Sequence, residues 1–557
     1  MKTKNIKRSF ALVAAIAIST LGSMAQTLGG GSIHGNFEAN GQYYMPASKY
    51  YADSVPNEKM LGAGFANFIY ANDNFSAGFR YETYMNSLLG FPQGYSNNSG
   101  IPYRFITYKN EGLEVTAGNF YEQFGSGLIY RTYEERGLGY DNAMEGLRIK
   151  YSPVNGVYFK GIIGKERLYF NAIYTIPGLV RGFDGEVNLN EAISSWAEHK
   201  TKIIIGGSFV SKYQTSNDPF HVLPVNVGAS AGRLNIIRGN LNLSGEYAYK
   251  INDPSASNGY IYKDGQALLV NANYSKKGFG ITLSAERVDN MDFRADRNAK
   301  QIDQMINFLP VLAKQHTYAL AAFYPYASQA NGEMGVQAEL FYIFKPNTFF
   351  GGKYGTNIDV NYSQTQSIDR QQINSSTAVG KENTKGYTSN FFKIGKEVYF
   401  HDINMEVTKK VSKTFKFVAT YMNIICNRDI TVAPGDGTVN AQVAVLEMFF
   451  KVTDKKTIRT EMQHLSTMQD QKNWAMGLIE YTIAPHWYVA ALDLYNYSNP
   501  DKNYQLHYPN LSAGFTKNAN RFAIGYGKQR AGIFCVGGLC RQVPASNGIT
   551  LSITSSF

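Results

Sequence analysis

From Ile33 to the last residue the sequence keeps returning to a two-residue alternation of apolar and polar side chains. The final ten residues display it most fully. Ile549, Leu551, Ile553 and Phe557 fall on one face, with Ser555 the only polar interruption, and Thr550, Ser552, Thr554 and Ser556 fall on the other. Side chains of a strand alternate with period two, so such a segment is greasy on one side and hydroxylated on the other. The same pattern recurs with full charges. Phe75, Ala77, Phe79 and Tyr81 oppose Arg80 and Glu82; Leu113, Val115 and Ala117 oppose Glu114; Leu147, Ile149 and Tyr151 oppose Arg148 and Lys150. Further on, Leu241, Leu243 and Tyr247 oppose Glu246, and Ile458 and Met462 oppose Arg459 and Glu461.

Alternation alone fits a soluble β-sandwich, whose charged faces meet water, as well as a transmembrane barrel, whose charged faces line a lumen. Continuity separates the two, because no helix-period segment or linker interrupts the pattern. The connections also alternate in length. Short Gly/Asn/Asp/Pro turns stand near 72–74, 109–112, 152–156, 276–278, 345–347 and 517–520, with long polar connections such as 43–59, 90–101, 289–314 and 364–387 between them. Short turns at one end and long loops at the other are how outer-membrane barrels are built. The expected fold is all-β: a transmembrane antiparallel up-and-down barrel of roughly 20–26 strands. Because residues 33–44 already read as strand, no separate plug domain is expected before it.

The first residues assign the compartment. Lys2, Lys4, Lys7 and Arg8 precede a short apolar core from Phe10 to Leu21, and Ser23-Met24-Ala25 supplies the small residues of a cleavage site before Gln26. Residues 1–25 therefore read as a cleaved signal peptide and 26–557 as a single barrel. Aromatic residues make up 14% of the chain while mean hydropathy is −0.28. That combination suits strands with one face in lipid and one in water, and excludes a bundle of apolar transmembrane helices. The formal charge of +11 includes the four leader cations, and the remainder is too small and too scattered for a nucleic-acid surface.

The densest charged stretch is 118–142, where Arg131, Glu134, Glu135, Arg136 and Asp141 follow a Gly125-Ser126-Gly127 turn. One reading is a salt-bridged external loop. The other is a loop folded into the lumen, where paired Arg and Glu side chains narrow the pore and neutralise one another. Arg80, Glu82, Glu114, Arg148, Lys150, Glu246, Arg459 and Glu461 are the candidate lumen charges. Cys535 and Cys540 flank Gly537-Gly538 just before the final strand; in an exported protein a disulfide closing a hairpin tip is expected there rather than a zinc half-site, leaving Cys426 as a free thiol. The eight histidines form no triad or HExxH spacing, so no catalytic residue is nominated and no cofactor or metal is expected.

Both stretches resemble an uncharacterised family of Bacteroidetes outer-membrane β-barrel proteins. The features that carry the resemblance are Phe-Tyr-Glu-Gln-Phe-Gly-Ser-Gly at 120–127, Tyr-Glu-Glu-Arg at 133–136, Asp141-Asn142, and Cys-Val-Gly-Gly-Leu-Cys at 535–540 with Val543-Pro544-Ala545-Ser546 behind it. The resemblance implies a barrel in the outer membrane of a Gram-negative bacterium and assigns no substrate. The expected partners are outer-membrane lipid and lipopolysaccharide, the barrel assembly machinery through the C-terminal strand, and other outer-membrane proteins, with no nucleic acid. The functional expectation is a passive channel for solutes. The alternative is a non-conducting accessory or scaffold subunit of an outer-membrane complex, and the remote one an outer-membrane hydrolase.

Overall fold

The computed structural model describes residues 26–28, 30–50, 59–170, 178–536 and 539–557, with the side chains of 26–28 and 533–542 outside that description. The signal peptide read at 1–25 also lies outside the described residues. Among the described residues, 24 strands pair with their sequence neighbours, each antiparallel, and the sheet closes on itself. Closure is made by Ser546–Ser556 against Gly31–Tyr44, in a register running from Asn36↔Ser556 to Tyr44↔Gly548. Backbone bonds between Gly35 and Phe557, of 3.1 and 3.0 Å, carry the seam to the last residue. A further short strand, Gln26–Leu28, folds back on the start of Gly31–Tyr44. Full closure leaves the barrel wall with no unpaired edge.

The final strand sorts as its alternation requires. Ile549 and Leu551 are exposed on the outer surface at about 40%, while Thr550 and Ser552 line the inside. Phe557 stacks outside on Phe37, ring centroids 5.5 Å apart, and the one polar interruption, Ser555, donates to Asn520 Oδ1 at 2.5 Å. The same sorting runs round the wall: Phe209, Tyr247, Leu283 and Ile524 are exposed outside, and Ser208, Glu246 and Glu286 are buried inside. No described helix is long and apolar enough to cross a membrane. Short turns gather on the rim that carries both strand termini, here the near rim. The long connections gather on the far rim.

The interior departs from an open tube. The connection expected at 289–314 runs from 290 to 331, between Phe279–Asp289 and Gly332–Phe344, and it is not a polar external loop. Met291, Phe293, Ile306, Leu309 and Leu312 are buried against inward faces of the wall together with Phe124, Leu128, Ile129 and Tyr130 of the 121–143 loop. Farther along, Leu320, Tyr324 and Tyr326 pack on Phe400, Met422, Val443 and Trp474 across the lumen. Residues of this kind leave water when folded inside, each large apolar side chain contributing about 1.5–3 kcal/mol. The expectation failed because a loop packed inside a barrel has no period, so its apolar residues look like an irregular polar connection with inclusions.

Candidate functional site

The inserted loops and the space beside them form the candidate site. Beyond strand Leu113–Phe120 the chain turns at Gly125 and Gly127, with φ of 52° and 99°. A Cβ on Gly125 would lie 2.4 Å from the Glu246 carboxylate, so only glycine lets the backbone approach. Glu246 Oε2 accepts from the Ser126 amide at 2.7 Å and from its hydroxyl at 2.9 Å, which pins the turn to the wall a quarter of the way round the barrel. The two loops are stitched together by backbone bonds. Arg131 N donates to Ile306 O, Phe308 N donates to Gly127 O, and the Asn307 side chain donates to Leu128 O and Met291 O.

A buried ionic network holds the loop. Arg80 reaches Glu82 at 2.6 Å, Asp141 at 2.5 Å and Glu134 at 3.0 Å. Arg167 spans Glu82 and Asp141, with contacts of 2.6 and 2.7 Å. From Glu134 the chain continues through Arg136, at 2.9 Å, to Glu38 on the first barrel strand, at 2.6 Å. Burial would lift the Asp141 carboxyl, but the guanidinium groups of Arg167 and Arg80 outweigh it and hold its pKa below the ordinary value. A second cluster centres on Glu122, which takes Lys150 at 2.9 Å and Lys160 at 3.0 Å, beside the Arg148–Glu114 pair at 2.7 Å.

The structure therefore brings Glu134, Arg136 and Asp141 together and puts all eight candidate lumen charges on inward faces, Arg459 pairing with Glu447 and Glu461. Two positions differ from expectation. Arg131 does not neutralise its neighbouring glutamates; its guanidinium lies over the rings of Tyr133 and Phe308, 4.4 and 4.1 Å from their centroids. Glu135 accepts from Gly137 N at 3.1 Å and caps a single helical turn. Arg167, central to the latch, lies just past the strand Val157–Glu166, where the alternation lapses, and carried no sequence signal. The same holds for His316, whose Nε2 meets Asp402 at 2.8 Å, a partner 86 residues away. Cys535 and Cys540 are register partners in a two-stranded hairpin, with side chains outside the description; Cys426 is a buried free thiol.

One side of the lumen is left open. Three adjoining cavities lie inside the barrel, two of them along the inner wall formed by the last strands and the first. The largest, about 600 Å³, is bounded by Asn40, Gln42, Ser512, Thr550 and Ser552, with Tyr488 towards the near rim. The next, about 440 Å³, shares Asn510, Gln529 and Val543 with it. A third of about 190 Å³ shares Phe323, Arg530 and Gly532 with the second, and it opens at the far rim between Arg428, Asp470 and Tyr324. There Arg428 pairs with Asp470 at 2.6 Å, and the Arg530 guanidinium lies 3.4 Å from the Phe323 ring centroid.

A family model described as a family of unknown function (DUF6029) matches residues 6–557. No curated protein matches the sequence. Solved structures similar to the chain include the P pilus usher (PapC) translocation pore, 8% identical, covering 94% of this chain and 99% of that one at a TM-score of 0.31. A mutant ferric enterobactin receptor (PfeA) from Pseudomonas aeruginosa is 10% identical, covering 94% and 80% at 0.41. A mutant of the Rh. blastica porin is 10% identical, covering 63% and 98% at 0.25.

Proposed function

The chain belongs to the DUF6029 family, and we propose that it is an outer-membrane channel held nearly shut by its own loops. An apolar outer face on a closed 24-strand sheet supports the membrane reading. The observation that carries the channel reading is the run of three adjoining cavities from near rim to far rim, beside loops that occupy much of the lumen. The largest cavity mixes amides and hydroxyls with apolar side chains, among them Leu88, Leu89 and Phe91. Its two charges, Glu38 and Arg136, pair with each other, and Lys528 of the next cavity donates to the Tyr50 hydroxyl at 3.0 Å. The wall of this first cavity suits small uncharged polar solutes, for which it supplies hydrogen bonds beside charges that are already paired; the Arg530 guanidinium, over Phe323, lines the other two. No catalytic step belongs to this reading.

Vesicle swelling tests it. Protein reconstituted into liposomes should admit a small neutral sugar faster than an amino-acid salt of similar size. Equal rates for both, or no swelling above protein-free vesicles, would overturn the channel reading. The buried latch favours a second reading, a non-conducting accessory subunit. That reading requires no swelling with any solute and outer-membrane proteins that co-purify stoichiometrically.

A further inference from the structure

The near rim is electrically lopsided. Four turns that lie side by side between neighbouring strands, at 276–279, 344–356, 410–415 and 453–456, carry most of its lysines. Lys345 and Lys353 stand on the second of these turns, Lys410 and Lys413 on the third, and Lys455 and Lys456 on the fourth, all exposed. Lys276 and Lys277 extend the patch on the first. The sequence of these four turns holds a single acid, Asp454, and it is engaged by Lys451 at 2.7 Å. Elsewhere on the same rim the turns carry Asp73, Glu111, Glu191 and Glu198 beside Lys200 and Lys517.

Directly inward from the lysines lies a belt of rings. Phe349 is 94% exposed and Phe350 63%, and Phe350 continues through Phe344 to Tyr342 on the outer wall at centroid spacings of 5.3 and 4.8 Å. Phe415 and Phe450 stack at 4.9 Å on the adjoining strands, and Lys353 and Lys410 flank the Tyr354 ring. Rings at the edge of an apolar wall with ammonium groups just beyond them match the depth profile of a bilayer leaflet, acyl chains first and headgroups next. A soluble acidic partner would account for the lysines but not for two phenylalanines continuous with the lipid-facing wall. We infer that this arc of the near rim is a docking surface for anionic phospholipid headgroups of the adjacent leaflet. The inference rests on the membrane reading above and adds to it a fixed contact on one side of the barrel.

Lipid selectivity measured by spin-labelled phospholipids tests it on the full folded chain. In phosphatidylcholine vesicles, both spin-labelled phosphatidylcholine and spin-labelled phosphatidylglycerol should show a motionally restricted fraction. Phosphatidylglycerol should be favoured by at least about fivefold, the preference collapsing in molar salt. Changing Lys345, Lys413, Lys455 and Lys456 to Gln should remove the preference while leaving the restricted fraction of phosphatidylcholine intact. Equal association of both lipids with the unaltered protein would overturn the inference. So would polyglutamate binding that depends on these lysines without any lipid preference, which would assign the surface to an acidic macromolecule. Absence of a restricted fraction for either lipid would instead defeat the membrane reading itself.

Discussion

Asp141 is where the latch is most exposed to a single change. It accepts from Arg80, Arg167 and the Tyr121 hydroxyl, and also from the Ala143 amide, all within a space closed to solvent. Asp141→Asn leaves two buried guanidinium groups short of a counter-charge, and breaking one partner of such a pair costs about 3–5 kcal/mol. Loop 121–143 should then open far more often, read as faster trypsin cleavage after Arg131 or Arg136 in the folded protein. Lys451→Gln, which removes the exposed contact to Asp454 at 2.7 Å beside a near-rim turn, is the control and should cost at most about 1 kcal/mol. Cleavage rates that rise equally in both variants would contradict the latch. Acid is a second probe. A carboxylate whose folded pKa is depressed stabilises the fold above its unfolded value of about 3.9, and that contribution fades only as pH falls through the lower folded value. The Asp141 half of the latch should therefore survive at about pH 5, where cleavage of the loop should stay slow. Glu134 is the weaker half, because burial raises its carboxyl despite Arg80 and Arg136. Of this network the sequence displayed Glu134, Arg136 and Asp141 as a cluster. It could not display Arg167, whose partner Glu82 is 85 residues away.

At the scale of elements, strands were legible and inserted loops were not, for one physical reason. A closed wall whose two faces meet different surroundings enforces period two on every strand, so Leu147, Ile149 and Tyr151 announce their face without any knowledge of neighbours. Residues 290–331 answer instead to whatever they meet inside: Phe293 to Ile306, Tyr326 to Phe400, Leu320 to Gln463. Such contacts join distant parts of the chain and leave no repeat. The hairpin 532–543 is an intermediate case. Its turn residues and cysteines were visible, and the ladder makes Cys535 and Cys540 direct partners. Facing residues in an antiparallel pair have Cα atoms about 4.5–5.5 Å apart, within the range a disulfide accepts. Peptide mapping of the unreduced protein should recover a Cys535–Cys540 crosslink and an alkylatable Cys426 only after unfolding. Free thiols at 535 and 540 in oxidised protein would rule the bond out.

For the whole molecule, the closing strand and the first strand decide that there is a barrel, and under the proposed channel reading the two inserted loops decide what it can pass. Ser546–Ser556 on Gly31–Tyr44 leaves no wall edge to grow or aggregate, and its hydroxylated face becomes part of the open corridor. The 121–143 and 290–331 loops share one apolar core and are bonded to each other, so they should act as a single obstruction. The 290–331 loop gives residues 317, 319 and 322–325 to the corridor wall and the 121–143 loop gives Arg136 and Gly137, so removing the longer loop should merge the corridor with the space that loop fills. Single-channel recording in a planar bilayer compares these two states directly. Unaltered protein should show small, steady conductance, and a variant in which residues 290–331 are replaced by a two-residue Asn-Gly turn should show openings several times larger. Identical conductance in the two, with the variant folded and inserted, would contradict the account.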